Sequence, residues 1–107
     1  MKLKEKEVEV GYLYLTSADQ YRAVLAMKGE FIIYAPSVEG AARLTATLPF
    51  ENQPFKKCRI ETFAKKDYQV FEFNGNEAIK HPLSESQIAE ATAQCNAKSA
   101  IVALLAE

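Results

Sequence analysis

The feature that most constrains the fold is the stretch of residues 29–49, GEFIIYAPSVEGAARLTATLP, which reads as a strand running into a helix. Five apolar residues in a row, FIIYA at 31–35, give the strand. Pro36 disfavours helical backbone at Ala35, and the Ser37 hydroxyl can accept from the orphan N–H groups of a helix starting at Val38. Val38, Ala41, Ala42, Thr45 and Leu48 then share one helical face, Glu39, Arg43 and Thr47 lie largely off it, and Pro49 closes the element. Burying Val38 and Leu48 against a sheet would contribute about 1.5–3 kcal/mol each, enough to hold a helix too short to form alone. Such a unit presupposes a sheet, and the flanking segments supply its strands.

Upstream, residues 1–7 set Lys2, Lys4 and Lys6 beside Glu5 and Glu7, a charged lead-in expected to fray or to guard a sheet edge, with order starting at about Val8. From there Val8, Val10, Tyr12 and Tyr14 alternate with Glu9, Gly11, Leu13 and Leu15, a strand with one aromatic face. Residues 17–28 admit two readings. Ser17 followed by Gln20 fits a helical capping box. A helical wheel, however, spreads Tyr21, Ala23, Val24, Leu25 and Met27 around the circumference. As a strand the segment sorts better, with Tyr21, Ala23, Leu25 and Met27 on one face and Arg22, Val24, Ala26 and Lys28 on the other, so it is predicted as a strand. A tight turn at Lys28 and Gly29 leads into the strand at 31–35.

Downstream, Asn52 and Pro54 mark a connection, and CRIETFA (58–64) and YQVFEFN (68–74) read as a second hairpin joined around Lys65, Lys66 and Asp67. An even-numbered loop makes Ile60, Thr62, Phe71 and Phe73 its core face, and a three-residue loop reverses the grouping. Asn74-Gly75 is a turn signal, and residues 77–81 read as a short edge strand. Ser84 with Gln87 forms a capping box for a last helix running to Leu105. Its stripe of Ile88, Ala91, Thr92, Cys95, Ser99, Val102 and Ala106 is narrow, and Ile101, Leu104 and Leu105 fall on other faces. A helix apolar on several sides asks for a second partner; the alternative is a break near Asn96. The expected fold is therefore α+β: an antiparallel sheet of about five strands, in the order meander, helix, hairpin and C-terminal helix, with helices packed on one face of a single domain, 1–107.

A formal charge of −1 provides no global field to draw the chain to DNA or to a membrane surface. Cys58 and Cys95 stand far apart with no Cys-x-x-Cys pattern, the N-terminal decapeptide lacks a hydrophobic core, and the apolar run at 100–106 is too short to span a bilayer, so a cytoplasmic protein with reduced thiols and no membrane contact is expected. A metal site from Cys58, His81 and Cys95 has no diagnostic spacing and no fourth ligand; an exposed turn histidine and two buried thiols are the simpler reading, and neither metal nor cofactor is expected. Glu61 opposite Glu72 on the hairpin would suit acid/base work only in a dry site, and Arg59 and Lys65 are placed to neutralise them. With one histidine and four glycines there is no triad order and no phosphate-cradling loop, so no catalytic residue is assigned.

Two interaction surfaces remain. Lys56, Lys57, Arg59, Lys65 and Lys66 interleave with Phe63 and Tyr68, and also with Phe55, offering cations for a backbone and rings for stacked bases, a nucleic-acid reading interrupted by Glu61, Asp67 and Glu72. Tyr12 and Tyr14, with Ile88, Ala91, Cys95, Val102 and Leu105 of the last helix, form a candidate protein interface. The preferred expectation is a non-enzymatic binding module, a homodimer that also occupies a protein partner, in the manner of accessory or inhibitory factors such as those of mobile elements. Nucleic-acid binding is the first alternative, and a small-molecule site or small enzyme between sheet and helices the second.

Overall fold

In the computed structural model, which describes residues 1–41, 44 and 47–107, a 3₁₀ turn at Glu5–Glu7 leads into β1 (Tyr12–Leu15), β2 (Tyr21–Lys28) and β3 (Phe31–Pro36). Then follow β4 (Lys56–Arg59), α1 (Ile60–Ala64), β5 (Phe71–Phe73), β6 (Asn76–Ala78), β7 (Lys80–Pro82), α2 (Glu85–Gln94) and α3 (Lys98–Leu105). Five strands build an antiparallel sheet in the order β4-β3-β2-β1-β7, and β5 pairs with β6 in a second, two-stranded sheet. The α+β class and the five-stranded antiparallel sheet agree with the sequence.

The segment that admitted two readings is strand β2, and its faces are set by a bulge. Val24 pairs with Tyr34 and Ala26 with Ile33, which leaves Leu25 as an extra residue. Tyr21, Ala23 and Leu25 share a face, but beyond the bulge Ala26 takes that face and Met27 crosses to the other, the reverse of simple alternation. β1 starts later than Val8 because Gly11, at φ +86°, turns the chain; its N–H donates to Val24 O at 2.8 Å. Ahead of it the charged lead-in is docked: Leu3 and Val8 are buried, and Leu3 N–H donates to Ala64 O.

The helix expected from Val38 does not begin there. The Ser37 hydroxyl accepts from Tyr21 N–H at 2.8 Å, which extends the β2–β3 ladder instead of capping a helix. Val38 is exposed, Gly40 adopts φ +72°, and the Gly40 and Ala41 N–H groups donate to Ala18 O and Asp19 O. Ala42, Arg43 and Thr45 of that helix lie outside the described residues. Leu48 and Phe50 are buried, as core plugs in non-helical chain.

The second expected hairpin is also replaced. Residues 56–59 pair with β3, and Ile60, Phe63 and Ala64 stand at the i, i+3, i+4 spacing that lets a single helical turn, α1, bury Phe63 and Ala64. β5 pairs instead with β6 through the Asn74-Gly75 turn.

α2 opens on the foreseen capping box, with Ser84 Oγ accepting from Gln87 N–H at 3.2 Å and Gln87 Oε1 accepting from Ser84 N–H at 2.9 Å. It ends before Asn96, whose φ of +55° breaks the helix. The break re-phases α3, so Ala97 and Leu104 are buried while Val102 and Leu105 point away. The helices divide between the two faces of the sheet instead of sharing one. α2 and α3 pack over Leu13, Ala23, Ile33 and Ala35 on one side, and α1 with the N-terminal segment packs over Tyr14, Val24, Ile32 and Tyr34 on the other. No helix among the described residues is long and apolar enough to cross a membrane.

Candidate functional site

Of the side chains with intrinsic reactivity, His81 and Cys95 are held in the core and Cys58 is half-buried on the edge strand β4. His81 lies in β7 opposite Leu13, buried and not in an exposed turn, with Nε2 2.7 Å from Phe71 O and its ring edge-on to Phe71 at 4.6 Å. Cys58 packs beside the aromatic cluster of one sheet face and Cys95 belongs to the core of the other, so the two thiols are separated by the sheet. Burial pushes both thiols up, which keeps them protonated and weakly nucleophilic at neutral pH. Cys58, His81 and Cys95 therefore do not converge, and among the described residues no trio of His, Cys, Asp and Glu could hold a metal ion. Glu61 is not opposite Glu72. Its carboxylate meets Lys65 Nζ at 2.8 Å one turn along α1, a hydrogen-bonded ion pair that holds its carboxyl below the usual range.

An open groove of about 680 Å³ runs between the β5–β6 hairpin and the ends of β1 and β2. Tyr21, Phe71 and Phe73 line it, with Asp19, Glu72 and Glu77 among its polar residues. Gln69 Nε2 donates to Asp19 Oδ1 and Thr16 O, which fastens one wall. Glu72 and Glu77 face each other across β5 and β6 and are exposed. This is a solvated concavity with a negative rim, not the dry carboxylate pocket that acid/base catalysis needs.

Of the residues assigned to nucleic acid, Lys56, Lys57 and Arg59 line up on β4, an edge strand of the main sheet. Phe63 and Tyr68 are only 1% exposed, packed around Tyr14 and Tyr34 in the face-covering aromatic core. Their rings have no free face on which a base could stack. Lys65 is turned toward Glu61 and Lys66 is exposed beyond the end of α1. The exposed ring at the basic strand is Phe31, which the sequence placed as the first of the five apolar residues of a strand. It is 36% exposed, and Lys57 Nζ and Arg59 Cζ each lie 5.2 Å from its centroid. The signal for it was its place at the start of β3, directly after the Gly29 turn, where a sheet corner meets solvent.

The residues assigned to a protein interface also separate. Tyr14 is fully buried, Ala91 and Cys95 are core, Ile88 is half-buried, and Tyr12 is half-buried beneath the Lys80 ammonium at 4.8 Å. Val102 and Leu105 alone of that set stand in solvent, 64% and 52% exposed. From Ser99 to Ala106 the chain carries no charge, and Lys98, one turn before Val102 on the same face, is the cation at the start of α3. Lys57 Nζ lies 3.9 Å from Glu107 Oε2, which brings the end of α3 beside the basic edge.

No protein-family model, no curated protein and no solved structure matches this chain.

Proposed function

We propose that the protein is a non-catalytic, cytoplasmic binding module that self-associates through α3 and acts, as an accessory or inhibitory factor, by occupying a protein partner. The exposure of Val102 and Leu105 on the outer face of α3, uncharged beyond Lys98, supports this reading most directly. A two-fold contact between identical protomers uses the same patch on both, so Val102 and Leu105 would meet their own copies. Burying a Val or Leu contributes about 1.5–3 kcal/mol, and four such side chains across a two-fold axis compete with an association cost of about 4–15 kcal/mol. The expected dimer is therefore weak and concentration-dependent. The inward-held histidine and thiols lend no support to nucleophilic or general-base chemistry.

Light scattering on a sizing column, from low to high micromolar protein, tests the reading. Wild type is expected to shift from monomer toward dimer mass with concentration and to hold that mass at high salt. A Val102→Glu/Leu105→Glu variant with an unchanged circular dichroism spectrum is expected to stay monomeric. A wild-type protein that remains monomeric throughout would overturn self-association.

A further inference from the structure

We propose that the open edge of β4 accepts an acidic, extended segment of a partner protein by strand addition. This surface adjoins the end of α3, where Lys57 meets Glu107, but it is built on the β4 backbone and does not depend on the dimer.

The phase of the ladder supplies the backbone groups. Ile60 N–H donates to Glu30 O at 2.8 Å, and the register pairs Cys58 with Ile32 and Lys56 with Tyr34. Antiparallel ladders alternate hydrogen-bonded and non-hydrogen-bonded pairs, so Lys56 and Cys58 turn their N–H and C=O groups toward β3. Lys57 turns both of its groups outward and Arg59 its N–H, the Arg59 C=O being engaged as the N-cap of α1, and β4 has no strand on that side among the described residues. An incoming strand meets a ready row of donors and acceptors there.

The opposite edge of the sheet is poorly suited to the same role. On β7, Leu83 N–H donates to Gly11 O and His81 is paired with Leu13, so Lys80 and Pro82 face outward. Pro82 has no N–H to give, which removes half of the donors from that edge.

Charge then selects the occupant. Lys56, Lys57 and Arg59 are all exposed, with Lys57 and Arg59 on the Phe31 side of the strand and Lys56 on the other. Pairing β4 with β4 of a second copy would bring these cations together, which disfavours self-pairing. A strand carrying carboxylates at alternate positions presents them all on one face, where they meet Lys57 and Arg59. The Phe31 ring holds Lys57 and Arg59 by cation–π contact, so both are partly arranged before binding. Their present partners, Glu30 at 2.7 Å from Arg59 and Glu107 at 3.9 Å from Lys57, form solvent-exposed pairs that a partner's carboxylates can replace at little cost.

The test uses a fluorescein-labelled, end-blocked peptide of alternating Glu and Val, read by fluorescence polarisation against the full chain. Three controls accompany it: the same peptide N-methylated at alternate backbone amides, a Lys/Val peptide, and a single-stranded oligonucleotide of similar length. The Glu/Val peptide is expected to bind, with new solvent-exchange protection at the Lys57 and Arg59 amides, and to lose about tenfold or more in affinity to a Lys57→Glu/Arg59→Glu variant of unchanged melting temperature. N-methylation in the phase that blocks its ladder is expected to abolish binding. Absence of Glu/Val binding, or equal binding by peptides N-methylated in either phase, would overturn strand addition. Tighter binding of the oligonucleotide would assign the edge to nucleic acid instead.

Discussion

Tyr14 joins parts of the chain that alternation alone does not connect. Its hydroxyl donates to Glu7 O at 2.7 Å and accepts from Glu9 N–H at 2.9 Å, while its ring stands edge-on to Phe63 and Tyr68. The sequence placed Tyr12 and Tyr14 on one strand face, correctly, because period two is local; what covers that face is decided by residues fifty positions away, at Phe63 and Tyr68. Removing the hydroxyl takes its partner from the part-buried Glu9 amide and leaves Glu7 O with the Lys80 ammonium alone. Tyr14→Phe is expected to destabilise the fold by about 1–3 kcal/mol in urea titrations with an unchanged slope. Tyr12→Phe keeps the ring under Lys80 and is expected to change stability by less than about 0.5 kcal/mol.

Local signals held where no strand competed for them: Ser84 caps α2, whereas the Ser37 hydroxyl is taken by Tyr21 N–H at the end of the β2–β3 ladder. The Ser84–Gln87 box spans three residues and marked the start of α2; Ser84→Ala is expected to cost about 1 kcal/mol, read as a lower urea midpoint. A break near Asn96 was one of two readings of the C-terminal helix, and the left-handed backbone of Asn96 decides it. At that position Asn96→Gly is expected to be tolerated while Asn96→Ala is expected to lose about 1 kcal/mol, a comparison that thermal melts of the two variants would check. Residues 58–64 alternate well enough to suggest a strand, yet Ile60, Phe63 and Ala64 also carry a helical spacing. The pairing of β4 with β3 settles the choice, since Ile60 N–H closes that ladder on Glu30. The same holds for the candidate site: the basic run was visible in sequence, but its place on a sheet edge, with Phe31 as its ring and Phe63 and Tyr68 withdrawn into the core, follows from long-range pairing.

At the scale of the molecule, β2 is buried from both sides, and one of the two cores holds the phenols of Tyr14, Tyr34 and Tyr68. Burial holds Tyr14, Tyr34 and Tyr68 above their ordinary value of 10.0. The folded state therefore keeps these protons more tightly than the unfolded chain. The resulting stability is complete below pH 10 and declines as pH rises beyond it. Alkaline titration is expected to release these three phenolates together with the loss of the circular dichroism signal. Phenolate absorbance assigned to them by Tyr→Phe variants, appearing while the structure persists, would contradict that coupling. The unequal edges of the main sheet have a further consequence for stoichiometry. A sheet receptive on both sides can pass strands from copy to copy and grow without limit, whereas Pro82 takes half of the donors from one side here. If a strand seats itself against Lys57 and Arg59, it finds only a half-equipped edge to continue from, so assembly along the sheet is expected to stop at a single addition instead of growing into open-ended filaments.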